Sequence, residues 1–404
     1  MSSLKLKGST SGDITITVPA QAGTNTVTIP AVTGTLPLSN LDHVTNRPNA
    51  KPIIINGGMT VAQRGTSHTG HTGSAYTLDR MYVRMSSAGT WTITQDTDVP
   101  TGYGFTNSLK MDCTTANSSL DAGDFIFLNI RFEKQDMRIF NKGTSDAKKI
   151  TVAAWVKSPT TGTHVIGLYD ANSSTNRYCM QTYTISSANT WTKAIVTFPA
   201  DTGGDEMGTD NTHGMNLQFW FAAGSNFTSG SAATAWENYT AANQAVGQVN
   251  CSSSTDNNIL ITGLQMEVGE YDSTTIPPFQ HESFDVSLQR CQRYYEKSYN
   301  ATVNPATATT VGLRHGSGVA GQTGSGEIAM GIYFLTPKRT TPTITFYDSA
   351  GNSGKCSRAN LGTAEHTNQT ASAVHTGENS FVLSSGSGSA ASAVHCHFEA
   401  AAEL

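Results

Sequence analysis

The stretch Ile259-Leu260-Ile261-Thr262-Gly263-Leu264-Gln265-Met266-Glu267-Val268 is an apolar, β-branched run of strand length set between turn formers. It reads as a buried strand. Working outward, the same pattern returns at Ile53-Ile54-Ile55, Trp91-Thr92-Ile93, Phe125-Ile126-Phe127-Leu128 and at residues 150–156, 194–198 and 217–221, each bounded by Gly, Ser, Asn or Asp. No helical pattern interrupts the series between residues 52 and 279, which argues against a parallel βαβ sheet and predicts a two-sheet sandwich or jelly roll. Composition agrees: 57 threonines, 38 glycines and 13 prolines in 404 residues favour extended strands and turns over helices. The expected fold class is all-β.

The first forty residues carry a short repeat, in which Ile16-Thr17-Val18-Pro19-Ala20 with Gly23-Thr24 recurs as Val27-Thr28-Ile29-Pro30-Ala31 with Gly34-Thr35. Each copy reads as strand, proline stop and glycine turn. A segment this small cannot bury enough surface alone, so residues 1–45 are expected to be an attachment segment that pairs with copies of itself or with a host assembly. Residues 46–282 are then the jelly roll, and residues 283–404 a connecting helix and a C-terminal β domain. The helix is expected to be capped by Ser283 or Asp285, with Phe284, Leu288, Cys291 and Tyr295 forming one apolar stripe. In the last domain Ala371-Ser372-Ala373-Val374-His375 recurs as Ala391-Ser392-Ala393-Val394-His395, and both copies read as strand entries.

Charge excludes some functions. The 25 basic and 30 acidic residues are scattered singly and leave a net charge of −5, so no basic tract offers a footprint for nucleic acid. The N-terminal residues lack the apolar core of a secretory signal and no 18-residue apolar run occurs, which predicts synthesis in a cytoplasm and no membrane insertion. The six cysteines lie 40 to 72 residues apart without a CxxC pair, and are expected to be free, buried thiols.

Catalytic constellations are sparse. The carboxylate groupings are Asp96 with Asp98, the run Asp201, Asp205, Glu206 and Asp210, and Glu267 with Glu270 and Asp272; all read as solvated loops, and the chain is expected not to be an enzyme. The loop from Asp201 to Asp210 has oxygen ligands suited to Ca²⁺ but misses the EF-hand spacing. His68-Thr69-Gly70-His71 reads as a polar turn. No cofactor is expected.

Several short motifs occur in a telling order. Leu6-Lys7-Gly8-Ser9-Thr10-Ser11-Gly12 precedes the Pro-Ala repeats; Ile55-Asn56-Gly57-Gly58-Met59, Gln63-Arg64-Gly65-Thr66 and Tyr76-Thr77-Leu78-Asp79-Arg80 follow; then come residues 262–269, 279–284 and 288–295, and Phe398-Glu399-Ala400-Ala401-Ala402-Glu403-Leu404 closes the series. In this the chain resembles bacteriophage tail-fibre and related virion proteins that carry a carbohydrate-binding-like jelly roll. The resemblance implies a tail fibre located on the virion, made in the host cytoplasm, forming a homotrimer, docking on other phage tail or capsid proteins through residues 1–45, and recognising a host surface polysaccharide without cleaving it. A purely structural head fibre or capsid decoration, and a polysaccharide-degrading tailspike, are the alternatives. Too little core for a self-sufficient monomer of this length also favours subunit association.

Glycan binding needs aromatic faces beside hydrogen-bonding groups. Trp155 and Trp220, embedded in apolar runs, are expected in the core; Trp236, Tyr239 and Tyr103 are the candidate glycan-binding residues. His395 and His397 lie two apart on an expected strand, so both side chains should share a face, and at a threefold axis six imidazoles could hold a transition metal.

Overall fold

The computed structural model describes residues 3–7, 13–17, 51–317, 327–359, 365–386 and 391–404, the first two segments as backbone only. The chain divides into two units, Met1–Val44 and Thr45–Leu404. In the first, strands Ser3–Lys7 and Asp13–Thr17 pair antiparallel, with Leu4 opposite Ile16. The second copy of the repeat lies outside the described residues.

In the second unit, alternation along each strand builds two facing layers. A seven-stranded antiparallel sheet runs, in spatial order, Glu237–Asn238, Arg177–Ile185, Gly162–Asp170, His213–Ala223, Phe125–Glu133, Tyr82–Ser86 and Ala75–Tyr76. Opposite it a six-stranded sheet runs Thr192–Phe198, Ile150–Lys157, Asn258–Val268, Ser108–Thr115, Thr90–Asp96 and Ser67–His71. Between them lie Ile126, Leu128, Leu217 and Phe219 from one sheet and Val152, Ile261, Met111 and Trp91 from the other, all buried. Inward side chains take every second position, as the pleat requires. The protein is all-β with a jelly-roll sandwich, as its sequence leads one to expect. Gly263 marks a bulge in the longest strand of the six-stranded sheet, between Thr262 and Gln265, where its φ of +64° and the ring of Phe105 leave no room for a Cβ.

Two expectations change. Ile53-Ile54-Ile55 forms a bend rather than a strand, because Asn56 and Met59 adopt left-handed backbone and the Asn56 amide donates to the carbonyls of Val61 and Asp79. The helix spans Phe284–Gln292 with Ser283 at its N-cap, but it packs through Ser287, Cys291 and Gln292 while Phe284 stays 49% exposed. Tyr295 falls outside it, in strand Tyr295–Lys297.

After the helix the chain builds a second β layer around the long strand Ala393–Ala401. Its first half pairs with Arg314–Ser317 and Lys355–Ala359, its second half with Tyr295–Lys297 and Thr343–Tyr347. Three further strands, Ala329–Tyr333, Ser380–Ser384 and Ser372–Val374, close over a core of Ile332, Phe346, Phe381, Leu383 and Phe398. The two Ala-Ser-Ala-Val-His fragments are strand entries in different sheets. All six cysteines are free and buried.

This layer joins the sandwich through buried polar groups. The Arg80 guanidinium lies 3.5 Å from the centre of the Tyr294 ring and pairs with Glu403, which Arg64 also reaches at 3.1 Å. Gln63 donates to the carbonyl of Tyr295 at 2.8 Å, and Arg131 to that of Leu404. Glu133, 1% exposed, accepts from Arg293 at 2.8 and 2.9 Å and from the Tyr294 hydroxyl at 2.6 Å. Burial pushes the Glu133 carboxyl up, but these hydrogen bonds and the Arg293 charge outweigh it and hold the group below its ordinary 4.5. Its stabilisation is therefore complete above that ordinary value and disappears as pH falls through the lowered folded-state value. Thermal melts should fall between about pH 5 and about pH 3, and less steeply in Glu133→Gln, which at neutral pH should itself be less stable by about 2 kcal/mol; equal acid slopes in the two proteins would show that Glu133 does not carry this dependence.

Candidate functional site

The outward face of the seven-stranded sheet carries an unusual set of side chains. An exposed sheet face is ordinarily Thr, Ser and Lys. Here the outward positions are Phe125, Phe127, Asn129 and Arg131 on one strand, and Asn216, Gln218 and Trp220 on its neighbour. Register sets them in rows: Tyr82, Asn129, Gln218 and Gly167 in one, with Arg84, Phe127 and Trp220 in the next. Part of this face is roofed by residues 224–249, whose Phe227 packs edge-on to Phe125 at 5.4 Å and lies 5.6 Å from Trp220. The remainder is an open cleft of about 450 Å³.

Gly167 sets the floor. A Cβ there would stand 1.9 Å from the Tyr178 hydroxyl, so only glycine lets that ring lie flat across the sheet. Tyr178 then accepts from the Trp220 indole at 3.1 Å and donates to the Gln244 carbonyl at 3.0 Å, tying floor to roof. Burial pushes the Tyr178 phenol well up, so it stays protonated. At the rim Tyr239 meets Tyr169 edge-on at 5.4 Å and its hydroxyl accepts from the Gln244 amide at 2.8 Å.

On this outward face two amides are left over, Gln218 in the lining of the cleft and Asn129 beneath it. Asn129 is fully buried and neither its Nδ2 nor its Oδ1 has a partner in the chain; Gln218, 4% exposed, has an unpartnered Oε1. Such a group costs about 1–3 kcal/mol unless something outside the chain bonds to it. Near one end His213 bonds Asn216 at 2.5 Å, and burial lowers its pKa, keeping the ring neutral. Two cations, Arg84 and Arg131, line the cleft, and no Asp or Glu does among the described residues.

The structure disperses the three residues expected to bind glycan. Tyr239 is on the rim of this cleft. Tyr103, 52% exposed, lies on the outer face of the other sheet with its ring 4.4 Å from Trp155. Trp236 packs against the inter-sheet core, and its indole donates to the Pro199 carbonyl at 2.9 Å. Of the two tryptophans expected in the core, Trp155 is half-buried on an outer face, whereas Trp220 is buried as expected, in the aromatic core cluster under the roof. Phe127, Asn129, Gln218 and Arg84 escaped the sequence reading. Their signal was there in strand Phe125–Glu133, where aromatic, amide and guanidinium stand at successive outward positions.

The other candidates are occupied locally. His397 is buried, stacked on Tyr299 at 3.7 Å, with Nδ1 at 3.0 Å from Ser298 Oγ and Nε2 at 3.2 Å from the Thr309 carbonyl. His395 is half-buried beside His315, with Nδ1 3.8 Å from Glu365. The pair thus meets different surroundings, and both nitrogens of His397 are engaged within the chain. No cluster of three or more potential metal ligands occurs among the described residues. His68 and His71 sit on the edge strand Ser67–His71, which corrects their reading as a turn. Asp98 is held by Lys157 at 2.5 Å and the Trp191 indole at 2.9 Å, and Glu270 by Lys149 at 2.5 Å.

In the Asp201–Asp210 loop the carboxylates diverge. Lys142, 2% exposed, places its ammonium 2.6 Å from Asp170 and 3.1 Å from Asp201, and Arg177 adds a 2.8 Å bond to Asp201. Asp205 accepts from the Ser174 amide and Asp210 from that of Thr212. An internal ammonium supplies the charge that a Ca²⁺ ion would bring.

No protein family and no curated protein matches this sequence. Among solved structures it is similar to the enzymatically active domain of tailspike protein 4 of bacteriophage CBA120, at 11% identity and a TM-score of 0.28, over 54% of this chain and 21% of that one. It is also similar to the N-terminal cellulose-binding domain of a Cellulomonas fimi β-1,4-glucanase, at 13% identity and a TM-score of 0.26, over 55% of this chain and 100% of that one. A family 11 carbohydrate-binding module of a Clostridium thermocellum cellulosomal cellulase matches at 10% identity and a TM-score of 0.24, over 55% of this chain and 96% of that one.

Gly167→Ala should destabilise the protein by about 1–3 kcal/mol and alter near-ultraviolet circular dichroism by displacing Tyr178 from Trp220; an unchanged spectrum and midpoint would contradict the close approach. Lys142→Met should cost about 3–5 kcal/mol by stranding the buried Asp170 carboxylate and leaving Asp201 to Arg177 alone, while millimolar Ca²⁺ or a chelator leaves the wild-type melt where it was. A calcium-raised melting temperature in the wild type would show that the loop binds the ion after all.

Proposed function

We propose that this chain is a saccharide-binding virion protein, a homotrimeric bacteriophage tail fibre that recognises host cell-surface polysaccharide without cleaving it. The observation that carries the saccharide reading is the cleft's lining, in which the unpartnered Oε1 of Gln218 lies among the side chains of Phe127, Trp220, Phe227 and Tyr239. A sugar ring offers what both features lack. Its hydroxyls can donate to the open Oε1 of Gln218, and its CH faces pack against rings such as Tyr239. Hydrolysis would need two carboxylates held roughly 5 or 9 Å apart across the bond, and the cleft's described lining contains none.

Placement on a phage rests on the order of motifs shared with tail-fibre proteins. Three linked copies suit the weak affinity that one shallow cleft provides, because effective concentration multiplies single-site binding.

Affinity electrophoresis through gels containing neutral and acidic bacterial polysaccharides tests the reading. Wild type should be retarded by at least one, and Tyr239→Ala should lose about tenfold in affinity with its melting temperature unchanged. No retardation by any polysaccharide would refute it, and release of reducing ends would point to a tailspike.

A further inference from the structure

The charge of the cleft runs against that of the chain. The whole protein carries −5, yet the described lining of this cleft holds two arginines and no carboxylate. The two arginines differ in availability. Arg131 is engaged: its Nη1 donates to the Leu404 carbonyl and its guanidinium covers the Tyr82 ring at 4.4 Å. Arg84 is exposed and forms no hydrogen bond or ion pair with any described residue. Its guanidinium lies 5.6 Å from the Phe127 ring and 5.8 Å from that of Phe125, which holds the fork over the row of aromatic side chains.

Several other arginines of the described structure are met by carboxylates. Arg177 pairs with Asp201, Arg290 with Glu282 and Arg293 with Glu133. An unmet guanidinium one register row from the unpartnered Oε1 of Gln218 is a composite donor and acceptor set, and its charged member fits an oxyanion. A guanidinium fork matches a carboxylate in plane and spacing, and a charge-assisted bond of this kind is roughly twice as strong as a neutral one. Neighbouring ionisable groups do not cancel it: His213 is neutral, Tyr169 and Tyr239 are phenols, and Asp170 faces Lys142.

We infer that the cleft is selective for an acidic saccharide, with Arg84 binding a sugar-ring carboxylate while Gln218 bonds a hydroxyl of the same or the adjoining residue. This rests on the saccharide reading above and narrows it to a substrate class.

Titration calorimetry of the full chain tests it with uronate oligosaccharides (galacturonate, glucuronate and mannuronate oligomers), each set against its carboxyl-reduced neutral counterpart. At least one uronate should bind about tenfold more tightly than its reduced partner, the preference should shrink as salt rises, and Arg84→Gln should abolish it. Arg84→Lys should keep part of it, since the charge remains but the fork is lost. Both substitutions are at an exposed position, so unchanged melting temperatures will show that the fold survives. Neutral oligosaccharides binding as well as the acidic ones, or an Arg84→Gln protein with the wild-type preference, would overturn the selectivity and leave the saccharide reading standing. No binding by either set, together with no retardation in polysaccharide gels, would overturn both.

Discussion

Arg80 is the residue on which much of the architecture hangs. Its side chain is 3% exposed and its backbone is left-handed, at φ 68°. Burying a guanidinium is costly unless every donor and the charge itself are met. Here the Glu403 carboxylate meets the charge, the Tyr294 ring meets the face, and the carbonyl of Arg131 takes a further donor. Those partners come from the last residues described, from the turn after the helix, and from the strand that carries the cleft. One cation thus fixes the second β layer against the sandwich and, through Arg131, holds the strand that places Phe127 and Asn129.

Because the junction is polar, it is specific where an apolar one would tolerate sliding. Gln63 bonds both the Asp79 carboxylate and the Tyr295 carbonyl, Arg64 lies 3.7 Å from the Tyr295 ring, and Glu133 is shared by Arg293 and Tyr294. Moving the layer by one strand rung would strand several charges at once. That rigidity matters for a shallow cleft. A site built on central strands keeps its aromatic and amide side chains within a fraction of an ångström, whereas one built on loops must be ordered by its ligand.

The period-two alternation made the fold class legible, and the strands around Phe125, Ile150, Leu217 and Ile259 occur where the apolar runs lie. Ile53-Ile54-Ile55 misled because composition cannot reveal a left-handed Asn56 whose amide ties the bend. The quoted motifs Gln63-Arg64-Gly65, Leu78-Asp79-Arg80, Tyr294-Tyr295 and Glu403-Leu404 were legible as a series, and in space they converge at the junction; what they encode there is attachment between layers. The cleft was harder to see. Trp220 and Phe127 look like core because the strand Phe125–Glu133 is buried on both faces almost throughout. Only the assembled roof, residues 224–249, shows that one of those faces belongs to a second, smaller aromatic cluster.

That second cluster explains why the amides are tolerated. In a one-face sheet, Asn129 and Gln218 would simply be solvated and would carry no information. The roof buries Trp220, Met180 and Tyr178 on the same outward face, and the apolar surface removed from water there offsets the cost of leaving nearby polar atoms unmet. The stability that the roof supplies and the unmet bonds on the floor are therefore two parts of one arrangement. Replacing Asn129 and Gln218 with apolar residues of like shape would relieve the unmet bonds and leave the sheet intact. Their presence in the middle of a well-packed sheet is a cost to folding that the apolar burial under the roof offsets.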